Sequence, residues 1–249
     1  MSMQVLKEVE KAQILVDSLP YIRDFNQKIV VICFGCSNIL DDAKTQEVMM
    51  DIALLKSIGM RPILVHDTKM GYDKFRENKR LAKLIEFCGI KAVGLCGVDL
   101  QTIHMTLDND YIPVITPHDI DTEDIVITPE DAAATIALAI GAEKVLFLGA
   151  EDGIHDPKSG EIVSQMTIDE VGTMEADGLF EGKLAAKVAH ATELIEGGVP
   201  RAHIINPSCE HAILVEIFSI IGIGTVIFRD REHYYPHEER HHKSRAMSE

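Results

Sequence analysis

Apolar residues recur along most of this chain in compact blocks of five or six, each followed by a longer stretch with helical spacing. The blocks "KIVVIC" (28–33), "RPILVH" (61–66), "KAVGLC" (91–96), "IPVIT" (112–116), "KVLFLG" (144–149), "RAHIIN" (201–206) and "GTVIF" (224–228) are continuous rather than alternating. That is how strands buried on both faces read. Between them, 41–60, 74–88, 130–140, 183–196 and 209–220 have the lengths and spacings of helices, the first closed by Gly59. Residues 97–111 are assigned as a polar stretch. Ahead of the first strand, Val5, Val9, Ala12, Val16 and Leu19 form one stripe of a helix expected to end near Pro20. The alternation predicts an α/β fold, a mainly parallel sheet sandwiched by helices. No internal repeat is present. From Arg229 to Glu249 the composition turns charged and His-rich with no apolar period.

With 46% hydrophobic residues in 249, the chain can bury a full core, and disorder is excluded for its bulk. The formal charge of -16 opposes nucleic acid and anionic membrane surfaces as partners. No apolar run approaches the roughly 20 residues of a membrane span, and the first residues lack a signal-peptide core, so a cytoplasmic protein is expected. Five cysteines, at 33, 36, 88, 96 and 209, suit reduced thiols better than a disulfide framework.

Several fragments narrow the reading: "KAQILVDSLPYIRDF", "DIALLKSIGMRPILVH", "KAVGLCG", "EDAAATIALAIGAEKVLFL", "EADGLFEGKLAAKV", "GGVPRAHIIN" and "HAILVEIF". In this order, from about Val5 to Phe228, the chain resembles the amino acid kinase family, and within it the acetylglutamate kinases. The resemblance implies a three-layer fold and phosphoryl transfer from ATP with Mg²⁺ to a carboxylate, a reaction that rests on cations and backbone amides facing the phosphates. It marks Asp131 and Lys187 as catalytic positions, and Gly35, Gly149, Gly153, Lys187 and Lys69 as positions around a nucleotide.

The family's motifs are altered, however. Its Lys-x-Gly-Gly after the first strand reads Cys33, Phe34, Gly35, Cys36 here, and its His-Gly-Gly-Gly reads His66, Asp67, Thr68, Lys69. Its Asn-x-Asn-Ala-Asp becomes Ile127 to Asp131, its Thr-Asp becomes Gly149 and Ala150, and its substrate-holding Arg has no counterpart between Gly71 and Lys74. Loss of one oxyanion-stabilising donor costs roughly 3 to 4 kcal/mol of barrier. Several such losses predict a protein that has kept the fold and lost the reaction, and now acts in binding, regulation or assembly. The rival is an active carboxylate kinase with Lys69 replacing the lost cation. A metal, oxyanion or redox protein is a third class.

Three further patterns bear on that third class. Cys33 and Cys36 have the C-x-x-C spacing of redox and metal sites, but Cys33 should end a strand rather than open a helix and no second such pair exists, so small core residues are the favoured reading. "HEERH" (237–241) matches a zinc motif but lacks the helical context it needs, which leaves a polar tail or incidental metal binding by His233, His237, His241 and His242. Glu151, Asp152 and Asp156 suit either Mg²⁺ or plain turn chemistry. No resident metal is assigned. Three regions are expected: an assembly helix (1–26), a domain of two lobes (27–120 and 121–228) and the tail (229–249). The N-terminal stripe needs a partner, so a homo-oligomer is expected, with a small amino-acid-like molecule as candidate ligand.

Overall fold

The computed structural model describes residues 3–35, 40–68, 73–118, 127–219 and 221–231. In chain order the elements are α1 (Met3–Phe25), β1 (Ile29–Phe34), α2 (Asp42–Ser57), β2 (Arg61–His66), α3 (Lys74–Phe87), β3 (Ala92–Cys96), α4 (Leu100–Asp108), β4 (Ile112–Thr116) and α5 (Pro129–Ile140). There follow β5 (Lys144–Leu148), β6 (Gln165–Thr167), α6 (Ile168–Ala176), α7 (Gly182–Glu196), β7 (Arg201–Ile205), α8 (Ala212–Phe218) and β8 (Thr225–Phe228). The strands form one sheet in the order β3-β4-β2-β1-β5-β7-β8-β6. Every pair is parallel except β7 with β8. This is the helix-covered, mainly parallel sheet that the apolar blocks predict.

Alternate strand residues feed two cores. Val31, Cys33, Ile63, Val65, Val145 and Phe147 pack against α4, α5 and α7, whereas Val30, Ile32, Phe34, Leu64 and Leu146 pack against α2, α3 and α8. Both faces of the sheet are thereby covered, which explains why its strands read as unbroken apolar runs. No helix among the described residues is long and apolar enough to cross a membrane.

Five elements depart from the sequence expectations. α1 runs through Pro20 to Phe25 because Tyr21 and Phe25, one turn apart, are buried against the core, and the Tyr21 ring meets the Phe218 ring of α8 edge-on at 6.1 Å. That packing outweighs the one backbone hydrogen bond a proline removes. The supposed polar stretch contains α4, capped by Asp99, which buries only Ile103 and Leu107. β6 and α6 occupy a segment with no assignment, and α6 starts with a capping box of Thr167 and Glu170. The helix expected over 209–220 is α8, shortened at its start by His211, whose backbone is left-handed.

β1 lies between β2 and β5, and the chain builds to one side of β1 before returning on the other with β5. The crossovers therefore diverge at the carboxyl ends of β1 and β5, where open α/β sheets hold ligands.

Candidate functional site

Gly35 and Gly149, the residues after β1 and β5, stand side by side at that divergence. The Gly35 N–H donates to the Leu148 carbonyl at 3.1 Å, and the Gly149 N–H donates to the Ile205 carbonyl at 3.1 Å. Each glycine leaves room that another side chain fills. A Cβ on Gly35 would lie 3.0 Å from Glu130 Oε1, and one on Gly149 would lie 1.8 Å from Lys187 Nζ and 2.8 Å from Glu151 Oε2. Lys187 reaches in from α7 with its side chain 4% exposed, and its ammonium donates to Glu151 Oε2 at 2.6 Å. Burial pushes the Glu151 carboxyl up, but the Lys187 hydrogen bond and the nearby positive charges outweigh it and hold the group below its ordinary range. Asn206, after β7, donates to the Ala150 carbonyl at 2.9 Å and pins the same loop.

The other positions singled out from sequence fall in different places. Asp131 belongs to the capping box of α5: Thr128 donates to its Oδ2 through Oγ1 at 2.6 Å and through the backbone N–H at 3.2 Å, and these bonds lower its pKa. Its Oδ1 lies 3.5 Å from His190 Nε2 on α7, where the imidazole stacks on Phe147. The neighbouring Glu130, not Asp131, is the carboxylate beside Gly35. Gly153, at φ 138°, packs beneath β8, where the adjacent Ile154 N–H donates to Thr225 Oγ1 at 2.7 Å. Cys33 is 1% exposed inside the core. Cys36, Lys69 and the tail beyond Arg231 lie outside the described residues.

At the end of β2, burial lowers the His66 pKa to about 4, so the ring is neutral at physiological pH. Its Nδ1 donates to the Asp67 carbonyl at 2.6 Å, which leaves Nε2 to accept from Asn78 Nδ2 at 3.0 Å. Neither β1 nor β2 thus carries a cation to its carboxyl end among the described residues.

The described residues do not fit a nucleotide polyphosphate with Mg²⁺. The Lys187 ammonium is already paired, and Glu130 and Glu151 face the two glycines. The three carboxylates weighed for a cation are engaged too: Glu151 by Lys187, Asp152 by His155 at 2.8 Å, and Asp156 by the backbone N–H groups of Lys158 and Ser159, each at 2.8 Å. Among the described residues no three His, Cys, Asp or Glu side chains are grouped to hold a metal ion. Sequence reasoning missed Glu130, His190 and Asn206 and did not connect Glu151 with Lys187. The Thr-x-x-Asp spacing from Thr128 to Asp131 was the available signal that Asp131 caps the helix and Glu130 is left over.

A second cleft lies under the end of α1, lined by Tyr21, Phe25, Lys144, His203, Glu216 and Ser219 among others. Lys144 starts β5 and Gly149 follows it, so the two sites are roughly 15 Å apart along the strand. Glu216 accepts from the N–H groups of Ile223 (2.8 Å) and Gly224 (3.2 Å), and its Oε1 lies 2.7 Å from His203 Nδ1. Burial keeps His203 neutral against the pull of Glu216. Nδ1 therefore donates, and the buried Nε2 is an acceptor without a protein partner.

A helix-covered, mainly parallel open sheet whose crossovers diverge at the carboxyl ends of its central strands defines an α/β protein with its candidate site at that divergence. The chain belongs to the amino acid kinase family, whose model matches residues 78–206. It is 31% identical to the acetylglutamate kinase of Caldicellulosiruptor saccharolyticus, over 89% of this chain and 97% of that one. It is 30% identical to that of Heliobacterium modesticaldum, over 90% and 100% respectively. Among solved structures, N-acetylglutamate synthase from Neisseria gonorrhoeae with coenzyme A and N-acetyl-glutamate superposes with TM-score 0.74 at 20% identity, over 88% of this chain. This chain spans 63% of that synthase's length. The same synthase with coenzyme A and L-arginine gives TM-score 0.70 at 21% identity over 88% of this chain and 65% of its own. Carbamate kinase from Giardia lamblia bound to AMP-PNP gives 0.62 at 16% identity, over 82% of this chain and 99% of its own. At these identities the structures share the fold.

Proposed function

We propose that this protein is an amino acid kinase-fold binding protein that has lost phosphoryl transfer and acts through ligand recognition and assembly. The observation that carries the reading is the charge of the crevice. Glu130 and Glu151 face the two glycines and Lys187 is already paired with Glu151, while the ends of β1 and β2 offer the buried Cys33 thiol and a neutral His66. A transferring phosphoryl group needs the opposite arrangement. The ligand we assign is a small amino-acid-like molecule, and its candidate place is the cleft under α1, where Tyr21 and Phe25 meet the polar side chains of Lys144, Gln165 and Ser219. L-arginine in the Neisseria synthase is one molecule of this class. In this reading residues 1–26 serve assembly of a homo-oligomer, and 27–228 form the binding domain.

The second reading is an ATP-dependent carboxylate kinase of the acetylglutamate kinase type. Its support is about 30% identity to proteins of that name over nearly the whole chain, together with the retained Lys187. Titration of the full chain with ATP and Mg²⁺ separates the two. The binding-protein reading expects no saturable heat up to about 1 mM, a Kd that corresponds to about 4 kcal/mol. Micromolar binding would favour the kinase. A thermal-shift panel of free amino acids should give at least one concentration-dependent rise in Tm.

A further inference from the structure

We propose that Glu151 occupies the place of a ligand anion at Lys187, and that this one residue closes the crevice to phosphate-bearing ligands. The inference deepens the binding-protein reading and rests on it.

Lys187 is a buried ammonium, and a buried ammonium is stable only beside an acceptor, preferably an anion. At the mouth of a crevice that anion can come from a ligand. Here it comes from the chain, two residues past the glycine that makes room for it. The Lys187 Nζ and the Glu151 Oε2 both sit within 2.8 Å of the point where a Gly149 side chain would begin, so they share the space above the end of β5. A phosphate oxygen bound to Lys187 there would meet the Glu151 carboxylate at van der Waals distance or less. Glu130 Oε1, above Gly35 at the end of the neighbouring strand, is a second carboxylate oxygen at this end of the sheet.

The pairing is held in place rather than incidental. Asn206 ties the Ala150 carbonyl to the end of β7, so the residue preceding Glu151 cannot swing away freely. A carboxylate tethered over so short a span competes with free ligand at an effective concentration in the millimolar range or above. The Glu151 side chain is nevertheless 21% exposed against 4% for Lys187, so the carboxylate is the more solvent-facing member of the pair. The carboxylate is therefore the stopper of the site rather than part of its floor. Neutralising it leaves a preformed cation above Gly149 at the carboxyl end of a parallel strand, which is the chemistry of a phosphate site.

The test uses the full chain at low ionic strength, with inorganic triphosphate as the probe, because triphosphate needs no base or sugar contacts. Wild type, Glu151→Gln and the double variant Glu151→Gln/Lys187→Met are titrated calorimetrically, and their melting temperatures are read with and without probe. Gln keeps an acceptor oxygen for Lys187 and so limits loss of the fold; circular dichroism checks this. Glu151→Gln should bind triphosphate at least about ten-fold more tightly than wild type, and the gain should vanish in the double variant. Its melting temperature should rise with probe while that of wild type stays put. A folded Glu151→Gln that binds no more tightly than wild type would overturn the inference, and so would a gain that survives Lys187→Met. ATP turnover by the wild type would instead remove the reading on which the inference stands, which keeps the two failures distinguishable.

Discussion

His66 shows how one buried residue ties the crevice to pH. The folded protein keeps it neutral down to about pH 4, while the unfolded chain takes up a proton near 6.5. Between those values the unfolded state binds more protons, so stability falls as pH drops through the window, by up to about 3 kcal/mol from this group. Urea midpoints from pH 7 to 4.5 should therefore fall more steeply in wild type than in His66→Gln, and equal slopes would refute the assignment. Gly149→Ala is expected to cost about 1 to 3 kcal/mol, because its Cβ would displace the Lys187 ammonium. At this scale the sequence was only partly legible. Lys187 stands out in sequence only through the family resemblance, since a lysine on a helix is ordinarily solvated. Glu130 and Asp131 are adjacent acids in one helical turn, and only the Thr128 capping box decides which of them faces the glycines. The pairing of Glu151 with Lys187 spans 36 positions, and no local pattern announces it.

α1 divides into a part that the protomer holds and a part that it leaves bare. Tyr21 and Phe25 are buried, with Lys144 Nζ 4.4 Å from the centre of the Phe25 ring, whereas Leu15 and Val16 are 68% and 55% exposed. Phe25→Ala should lower unfolding free energy by about 3 to 5 kcal/mol, read by denaturant titration. Leu15→Ala should leave the protomer within about 0.5 kcal/mol. Elements with long apolar blocks were readable because burial on both sheet faces writes itself as an unbroken run. α4 was not, because its two buried residues leave Gln101, Thr102, His104 and Thr106 to dominate the composition. α6 was readable in principle from Thr167 and Glu170, but three residues of β6 are too few to show a period.

For the molecule as a whole, the bare half of α1 belongs with the proposed assembly. Light scattering should give a mass above 27.6 kDa for the full chain and a smaller one after deletion of residues 1–17, which spares Tyr21 and Phe25. An unchanged mass would assign the helix another role. The α/β alternation was plain from the sequence. The order of strands was not, since it depends on which crossover turns back over β1, and that order creates the crevice between Gly35 and Gly149. The central claim is that this crevice no longer transfers phosphate, and turnover tests it most directly. The purified 249-residue chain with ATP, Mg²⁺ and a panel of acylated amino acids including N-acetylglutamate should form no acyl phosphate above the protein-free blank, as read by hydroxamate trapping. A turnover of about 1 s⁻¹ or more, the range of working kinases, abolished in Lys187→Met, would contradict it.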